Sequence, residues 1–335
     1  MKIPMNLKEH SYDILVERGV LHRAGEHLNL NRRVLVVTDE GVPAAYAQTI
    51  ARQCREPVVC TVPVGEGSKS MERLGAVLQT MLTHGFSRKD CVVAVGGGVV
   101  GDLSGFAASM YMRGVDFYNI PTTLLAQIDS SIGGKTAVNF GGVKNVVGAF
   151  YQPRKVLIDP ELLQTLPPRQ IANGLAEAVK MSLTSDAALF TLFEEQDVDA
   201  HIDQIIVRSL LIKKSVVEQD EKEAGLRKIL NFGHTIGHGI ESSGHGLFHG
   251  ECVALGMLPM CSEALRPRVV GVLKKCGLHR SLTYDWDRVA EAMFHDKKAD
   301  GDTVEVTMVT SPGQYELKTL PCAEVLSMAR RCLNG

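Results

Sequence analysis

Apolar residues follow two different rhythms along the chain. In the first half they gather in short, mostly apolar runs: Tyr12 to Val16, Arg33 to Thr38 (RVLVVT), Pro57 to Pro63 (PVVCTVP), Cys91 to Val95 (CVVAV) and Asp116 to Pro121 (DFYNIP). Valine-rich runs without polar alternation are what strands covered on both faces look like. Helical spacing fills the intervals, over 20–28, 43–54, 70–85 and 99–112. This alternation predicts an α/β layer on a parallel sheet. After a last strand, Lys155 to Asp159, helix follows helix: 167–184, 186–194, 200–219, the segment around His234, 250–264, 269–276, 284–294 and 323–332. A short strand pair, 304–309 and 313–318, interrupts them. The change near Pro153 sets the expected domains, residues 1–153 and 154–335. The start of the chain reads as polar, and 123–153 reads as a helix to Ile132 followed by glycine-rich loop.

Composition narrows the class. The chain has 335 residues, 45% of them hydrophobic and 22% charged, enough for two ordinary globular domains. A net charge of −2 provides no overall basic field, so nucleic acid and anionic lipid are not expected partners. No stretch approaches ~18 uninterrupted apolar residues, and MKIPMNLKEHSYD lacks a signal-peptide core. The eight cysteines form no CxxC and are irregularly spaced, as reduced thiols of a cytoplasmic protein would be.

Candidate chemistry concentrates in Arg227 to Glu251, which holds four of the eleven histidines. His234 and His238 are four apart and share a helix face, Glu241 follows, and His249 lies beyond a Ser-Ser-Gly-His-Gly turn. Neutral imidazole is a common metal ligand, and a catalytic zinc takes three protein ligands and keeps one position open. Spacing leaves the ligands undecided: His234 with His238, or His234 with His249. Glu177, in the apolar context GLAEAV and three residues before Lys180, is costly to bury without a cation. In the first half, Gly96 to Asp102 fits G-x-G-x-x-G at a strand-to-helix turn, a Rossmann-like setting for a phosphate. Its weak point is the missing acid downstream, since Asp116 comes too early. The segment after Pro121 carries Asp129, Lys135, Asn139, Lys144 and Asn145, more polar groups than a connector needs.

Several stretches together resemble the 3-dehydroquinate synthases: GEGSKSME, AVGGGVVGDLSGFAASMYMRG, PTTLLAQIDSSIGGKTAVNFGGVKNVVGAFYQP, GLAEAVK, DEKEAGLRKILNFGHTIGHGIE, HGECVALGM and HDKK. They run in family order from about residue 34 to 298. The resemblance implies a Rossmann-like NAD-binding domain followed by a mainly helical metal- and substrate-binding domain. It implies metal ligands Glu177, His234 and His249 for zinc or cobalt, with His238 facing substrate instead. Substrate groups carry over to Asp129, Lys135, Asn145, Lys180, Lys213, Arg227, Asn231, His238 and Lys297 of the HDKK pair. Arg113 would reach the neighbouring subunit of a homodimer. NAD contacts carry over to Asp39, Glu66, Lys69, Gly97, Gly98, Gly101, Asp102, Thr122, Thr123, Lys135, Lys144, Leu162 and Thr165. Asp39, upstream of the glycine turn, would supply the ribose acid.

The implied reaction takes 3-deoxy-D-arabino-heptulosonate 7-phosphate to 3-dehydroquinate and phosphate. Its steps are transient oxidation by NAD, phosphate β-elimination, re-reduction, ring opening and an intramolecular aldol closure, with no net redox change. Related cyclases making 2-deoxy-scyllo-inosose or valiolone use substrates lacking the carboxylate. Intact Lys213 and Arg227-x3-Asn231 favour the dehydroquinate reaction. A binding protein on an inactive cyclase scaffold would be expected to have lost Glu177 or His249, and both are present. Gly239 stands where the family more often has alanine.

Overall fold

The computed structural model describes residues 1–223, 225–244, 246–279, 283–294 and 303–334. Two compact units emerge, Met1–Leu166 and Pro167–Gly335. The expected boundary at Pro153 is corrected to Leu166/Pro167, because the strand after Pro153 is an interior member of the first unit's sheet.

In the first unit, β1 (Lys2–Met5), β2 (Tyr12–Val16), α1 (Ala24–His27), β3 (Arg33–Asp39), α2 (Ala44–Ala51), β4 (Glu56–Val62), α3 (Met71–Thr83), β5 (Cys91–Gly96), α4 (Gly98–Met110), β6 (Asp116–Pro121), β7 (Lys135–Phe140), β8 (Val143–Phe150) and β9 (Lys155–Ile158) follow in order. The main sheet runs β1-β2-β9-β6-β5-β3-β4. Every pairing in it is parallel except β1 with β2. Leu35, Val37, Val92 and Ala94 pack under Leu74, Val77 and Leu103 on one face, while Val34, Val36, Val93 and Val95 meet Val20, Ala47 and Ile50 on the other. Burial on both faces is why those runs show no polar alternation.

Two segments differ from expectation. The polar start contains β1, which pairs antiparallel with β2. The expected loop after Ile132 is instead the hairpin β7–β8, in register from Lys135↔Phe150 and turned by Gly141 and Gly142 at φ 60° and 81°. One face of this hairpin is solvated, so its residues do not read as a buried strand. The helix expected over 123–132 narrows to a π turn at Ala126–Ser130.

The second unit contains α5 (Pro168–Ser185), α6 (Ala187–Glu195), α7 (Ile202–Gln219), α8 (His234–Ser242), α9 (His249–Met257), α10 (Arg266–Lys275), α11 (Trp286–Phe294), the antiparallel hairpin β10 (Thr303–Ser311) with β11 (Gln314–Pro321), and α12 (Cys322–Leu333). α5 is its axis, buried continuously from Ala172 to Thr184. Two glycines let α9 approach its neighbours closely. A Cβ on Gly250 would lie 2.1 Å from the Asn173 carbonyl of α5, and one on Gly256 would lie 2.0 Å from the Gly233 carbonyl at the start of α8. These contacts bring α5, α8 and α9 together around one point.

Candidate active site

In the first unit, β5 ends at Gly96 and α4 begins at Gly98, with Gly97 between them. The turn is tight: a Cβ on Gly98 would stand 2.9 Å from Ser130 Oγ, and one on Gly97 3.1 Å from Thr123 Cγ2. Thr122 is buried, and its N–H donates to the Gly96 carbonyl at 3.0 Å. Asp39 closes β3, which runs parallel to β5, so it lies at the same end of the sheet as the glycine turn. Its Oδ1 accepts the N–H groups of Gly41 (2.8 Å) and Val42 (3.1 Å). Asp116 opens β6, at the opposite end, and its carboxylate is engaged by Arg32 and Arg154. This removes it as a ribose acid.

Lys69 is 5% exposed and pairs with Asp102 Oδ2 at 2.6 Å while donating to Asn145 Oδ1. Asn145 has a left-handed backbone, φ 55°, held by Asn139 Oδ1, which accepts its N–H at 2.9 Å. Asn139 Nδ2 donates to Glu66 at 2.9 Å. Thus Glu66, Lys69, Asp102 and Asn145 form one connected group. Thr165 Oγ1 lies 2.9 Å from Tyr46 Oη, and Leu162 is a core side chain, so only its backbone can face a ligand. Lys135 and Lys144 are exposed on the hairpin, Asp129 is half-buried in the π turn, and Arg113 is exposed at φ 68°.

In the second unit Glu177 is fully buried, and the polar side chains around its carboxylate are one ammonium and two imidazoles. Lys180, 1% exposed, forms an ion pair with its Oε2. Oε1 lies 3.6 Å from His234 Nε2 and 3.4 Å from His249 Nε2. Both distances exceed the usual hydrogen-bond range of about 2.7–3.2 Å. His234 Nδ1 lies 3.2 Å from the Phe232 carbonyl, which can only accept, so that nitrogen carries the proton. His249 Nδ1 likewise faces Glu241 Oε2 at 3.1 Å. His238 is exposed, its ring 5.2 Å from that of His234 and 5.7 Å from that of His249.

Burial alone would push the Glu177 carboxyl up; Lys180 and the two imidazoles more than offset this and hold it well below its ordinary value. Burial, with the charge of Lys180, pushes His234 down to about 3. Its ring is therefore neutral, with the Nε2 lone pair left 3.6 Å from a carboxylate oxygen. Burial also disfavours a charged His249, but Glu177 and Glu241 outweigh it and raise that group to about 9. A cation placed here is stabilised by the same two carboxylates. Tetrahedral ligation at about 2.0–2.2 Å puts neighbouring ligand atoms about 3.4 Å apart. The spacings around Glu177 Oε1 match that edge, so the residues fit a divalent metal. The ligand atoms of His234, His238 and His249 also lie within 4.8 Å of one another, so a three-histidine set is a second possible grouping.

Lys213 and Arg227 are also buried, at 5% and 3% exposure. Arg227 Nη1 donates to the Glu221 carbonyl at 2.6 Å, and Asn231 Nδ2 to Glu223 at 3.0 Å. Lys297 and its neighbour Lys298 lie outside the described residues. Glu241, behind His249, was visible in the sequence only as one member of the histidine-rich stretch.

Residues 59–173 match the family model described as 3-dehydroquinate synthase N-terminal, and residues 174–299 match 3-dehydroquinate synthase C-terminal. The chain belongs to the 3-dehydroquinate synthase family. It is 42% identical over 356 aligned residues to the 3-dehydroquinate synthase of Enterococcus faecalis, covering 99% of each chain. It also superposes on 2-deoxy-scyllo-inosose synthase complexed with carbaglucose-6-phosphate, NAD+ and Co2+, with TM-score 0.89 at 25% identity, over 99% of this chain and 100% of that one. For 2-epi-5-epi-valiolone synthase from Streptomyces hygroscopicus with NAD+ and Zn2+ bound, the TM-score is 0.87 at 30% identity, over 98% of both chains. In this 3-dehydroquinate synthase family member, Gly239 has a local reason: a Cβ there would lie 2.7 Å from Met293 Cγ and 2.9 Å from the Val289 carbonyl of α11. Among the described residues, no helix is long and apolar enough to cross a membrane.

Proposed function

We propose that the protein is a cytoplasmic, homodimeric 3-dehydroquinate synthase. Using bound NAD and a divalent metal, zinc or cobalt, it converts 3-deoxy-D-arabino-heptulosonate 7-phosphate to 3-dehydroquinate and phosphate in the shikimate route to aromatic amino acids. The observation that carries this reading is the buried Glu177 carboxylate, whose Oε1 lies 3.4 and 3.6 Å from two imidazole nitrogens, in a chain with full-length similarity to that family. When bound, NAD supplies a transient oxidation and the metal lowers the cost of alkoxide character on substrate hydroxyls.

The chain's own residues take the remaining roles. Glu177, His234 and His249 hold the metal, and His238, exposed beside them, serves the substrate. Asp39, Glu66, Lys69, Asp102, Thr122, Thr123, Lys135, Lys144, Thr165, the glycine turn and the Leu162 backbone hold NAD. Lys180, Lys213 and Arg227 are three cations buried in a chain of net charge −2. Gathered at one site, such cations would suit a sugar acid phosphate, and Arg's planar fork suits its carboxylate. Asn231, Asp129, Lys135, Asn145 and Lys297 complete the substrate set. Met112 and Arg113 adopt consecutive left-handed conformations, φ 49° and 68°, and Met112 is exposed together with nearby Met110. A strained turn presenting an arginine amid exposed apolar surface supports Arg113 reaching a second copy of the chain.

The deciding experiment follows phosphate release from 3-deoxy-D-arabino-heptulosonate 7-phosphate with NAD and zinc or cobalt, with and without chelator. Release that stops on chelation, without NADH build-up, is expected. No release from protein that holds both metal and NAD overturns the substrate assignment; glucose 6-phosphate and sedoheptulose 7-phosphate then test the related cyclase activities suggested by the solved neighbours.

A further inference from the structure

α5 carries Arg169, Asn173 and Glu177 at four-residue intervals, so the three side chains fall along one face of the helix. Each meets the beginning of α9. Arg169 donates from Nε to Glu251 Oε1 at 2.9 Å and from Nη2 to Oε2 at 2.7 Å. Nη2 also donates to the Gly246 carbonyl at 3.0 Å, and the guanidinium lies 4.1 Å over the Phe248 ring. Glu251 is fully buried, and its Oε2 also accepts the Phe248 N–H at 2.8 Å. Asn173 Oδ1 accepts the Gly250 N–H at 2.6 Å. The third residue of the row, Glu177, faces the His249 ring.

Phe248, Gly250 and Glu251 flank His249, and none of these contacts with Arg169 and Asn173 touches its ring. They fix the backbone from which the ring projects. A buried ion pair is weak evidence of stabilisation, because desolvation consumes much of its Coulombic gain. A two-pronged arginine–carboxylate contact does add direction and register. Metal ligands must be held within about 0.5 Å of their productive positions.

We propose that Arg169, Asn173 and Glu251 are positioning residues for His249. They tie the chain on both sides of the imidazole to the helix that carries Glu177, so one element sets the spacing of both groups. This rests on the reading of Glu177, His234 and His249 as the metal-holding set.

The test uses the full-length chain loaded with cobalt. Affinity is measured by chelator competition, ligand geometry by the visible spectrum of bound cobalt, and folding by thermal unfolding and NAD affinity. Arg169→Ala and Glu251→Gln are expected to weaken cobalt binding by about 10–100-fold, the range for groups that orient metal ligands, and to shift the spectrum, while NAD affinity stays unchanged. Arg169→Lys should recover only part of the loss, because an ammonium cannot make the paired contact. Should Arg169→Ala fail to fold, Glu251→Gln carries the test, since it preserves volume and an acceptor for the Phe248 N–H. A lower melting temperature with unchanged cobalt affinity and spectrum would assign these residues a purely structural role and overturn the proposal. His249→Ala is the control: if it binds cobalt as tightly as the parent, the metal reading itself has failed, a separable result.

Discussion

His249 Nδ1 faces the carboxylate of Glu241 at 3.1 Å, and this contact leaves Nε2 as the nitrogen turned to Glu177. A carboxylate behind an imidazole selects the tautomer, orients the ring and raises its basicity toward a cation. Glu241→Ala removes all three effects and should weaken zinc or cobalt affinity by about 10–100-fold in a chelator competition. Glu241→Gln, which can still accept from Nδ1 but carries no charge, should fall between Ala and parent. Equal affinities across the series would deny Glu241 any part in the site.

The two histidines of α8 should separate by readout. His234 lies near Glu177, whereas His238 is exposed on the same helix. His234→Ala is expected to abolish stoichiometric metal binding. His238→Ala should retain the metal and lose turnover. Metal loss in both variants would make His238 a ligand and overturn the assignment of Glu177, His234 and His249 as the metal-holding set.

How much of this was legible in the sequence depends on which contacts run along the chain and which run across it. The strands Arg33–Asp39 and Cys91–Gly96 announce themselves because both faces are buried. The β7–β8 hairpin does not, since its residues are largely exposed and its turn glycines read as loop. The boundary is misplaced for a related reason: β9 follows a proline but pairs back between β2 and β6, and such return pairing has no local signal. At the site, the histidine cluster stands out as chemistry-bearing and Glu177 as a carboxylate in apolar surroundings, but spacing leaves open whether His234 goes with His238 or with His249. Arg169 and Asn173 do not stand out. Four-residue spacing places them on Glu177's face of α5 but cannot say that the start of α9 lies against that face.

The glycines that set these helix contacts provide a stability prediction. Alanine at Gly256 would normally favour the helix by up to about 1 kcal/mol. Here its Cβ would fall 2.0 Å from the Gly233 carbonyl and 2.7 Å from the Gly237 nitrogen, all backbone atoms that cannot rotate away. Overpacking of this kind costs about 1–3 kcal/mol, occasionally more. Gly256→Ala should therefore lower the melting temperature and, by separating α8 from α9, reduce metal affinity as well. Gly271→Ala, where nothing among the described residues lies within 4 Å of the added Cβ, is the matched control and should be neutral or mildly stabilising.

Asp116 supplies a pH-dependent prediction in the first unit. Its Oδ2 accepts from Arg32 Nη1 at 2.7 Å and its Oδ1 from Arg154 Nε at 2.8 Å, linking β6 to the residues that precede β3 and β9. Burial pushes this carboxyl up, but the two guanidiniums outweigh it and the folded-state value lies below the ordinary one. A group depressed in this way stabilises the fold above its unfolded pKa, about 3.9 for aspartate, and the contribution is lost as pH falls through the folded value. The partners differ: Arg32 is 12% exposed and also reaches Tyr118 Oη at 3.0 Å, whereas Arg154 is 64% exposed. Arg154→Ala should cost less than about 1 kcal/mol, as exposed pairs do. Asp116→Asn should cost about 1.5–3 kcal/mol near neutrality, the range for hydrogen bonds to charged groups. Urea unfolding at neutral pH and again below about pH 4 checks the sign, because the parent loses its advantage as Asp116 protonates and the asparagine variant has no such proton to gain. A gap between parent and variant that stays constant on acidification would mean that Asp116 contributes through shape rather than charge.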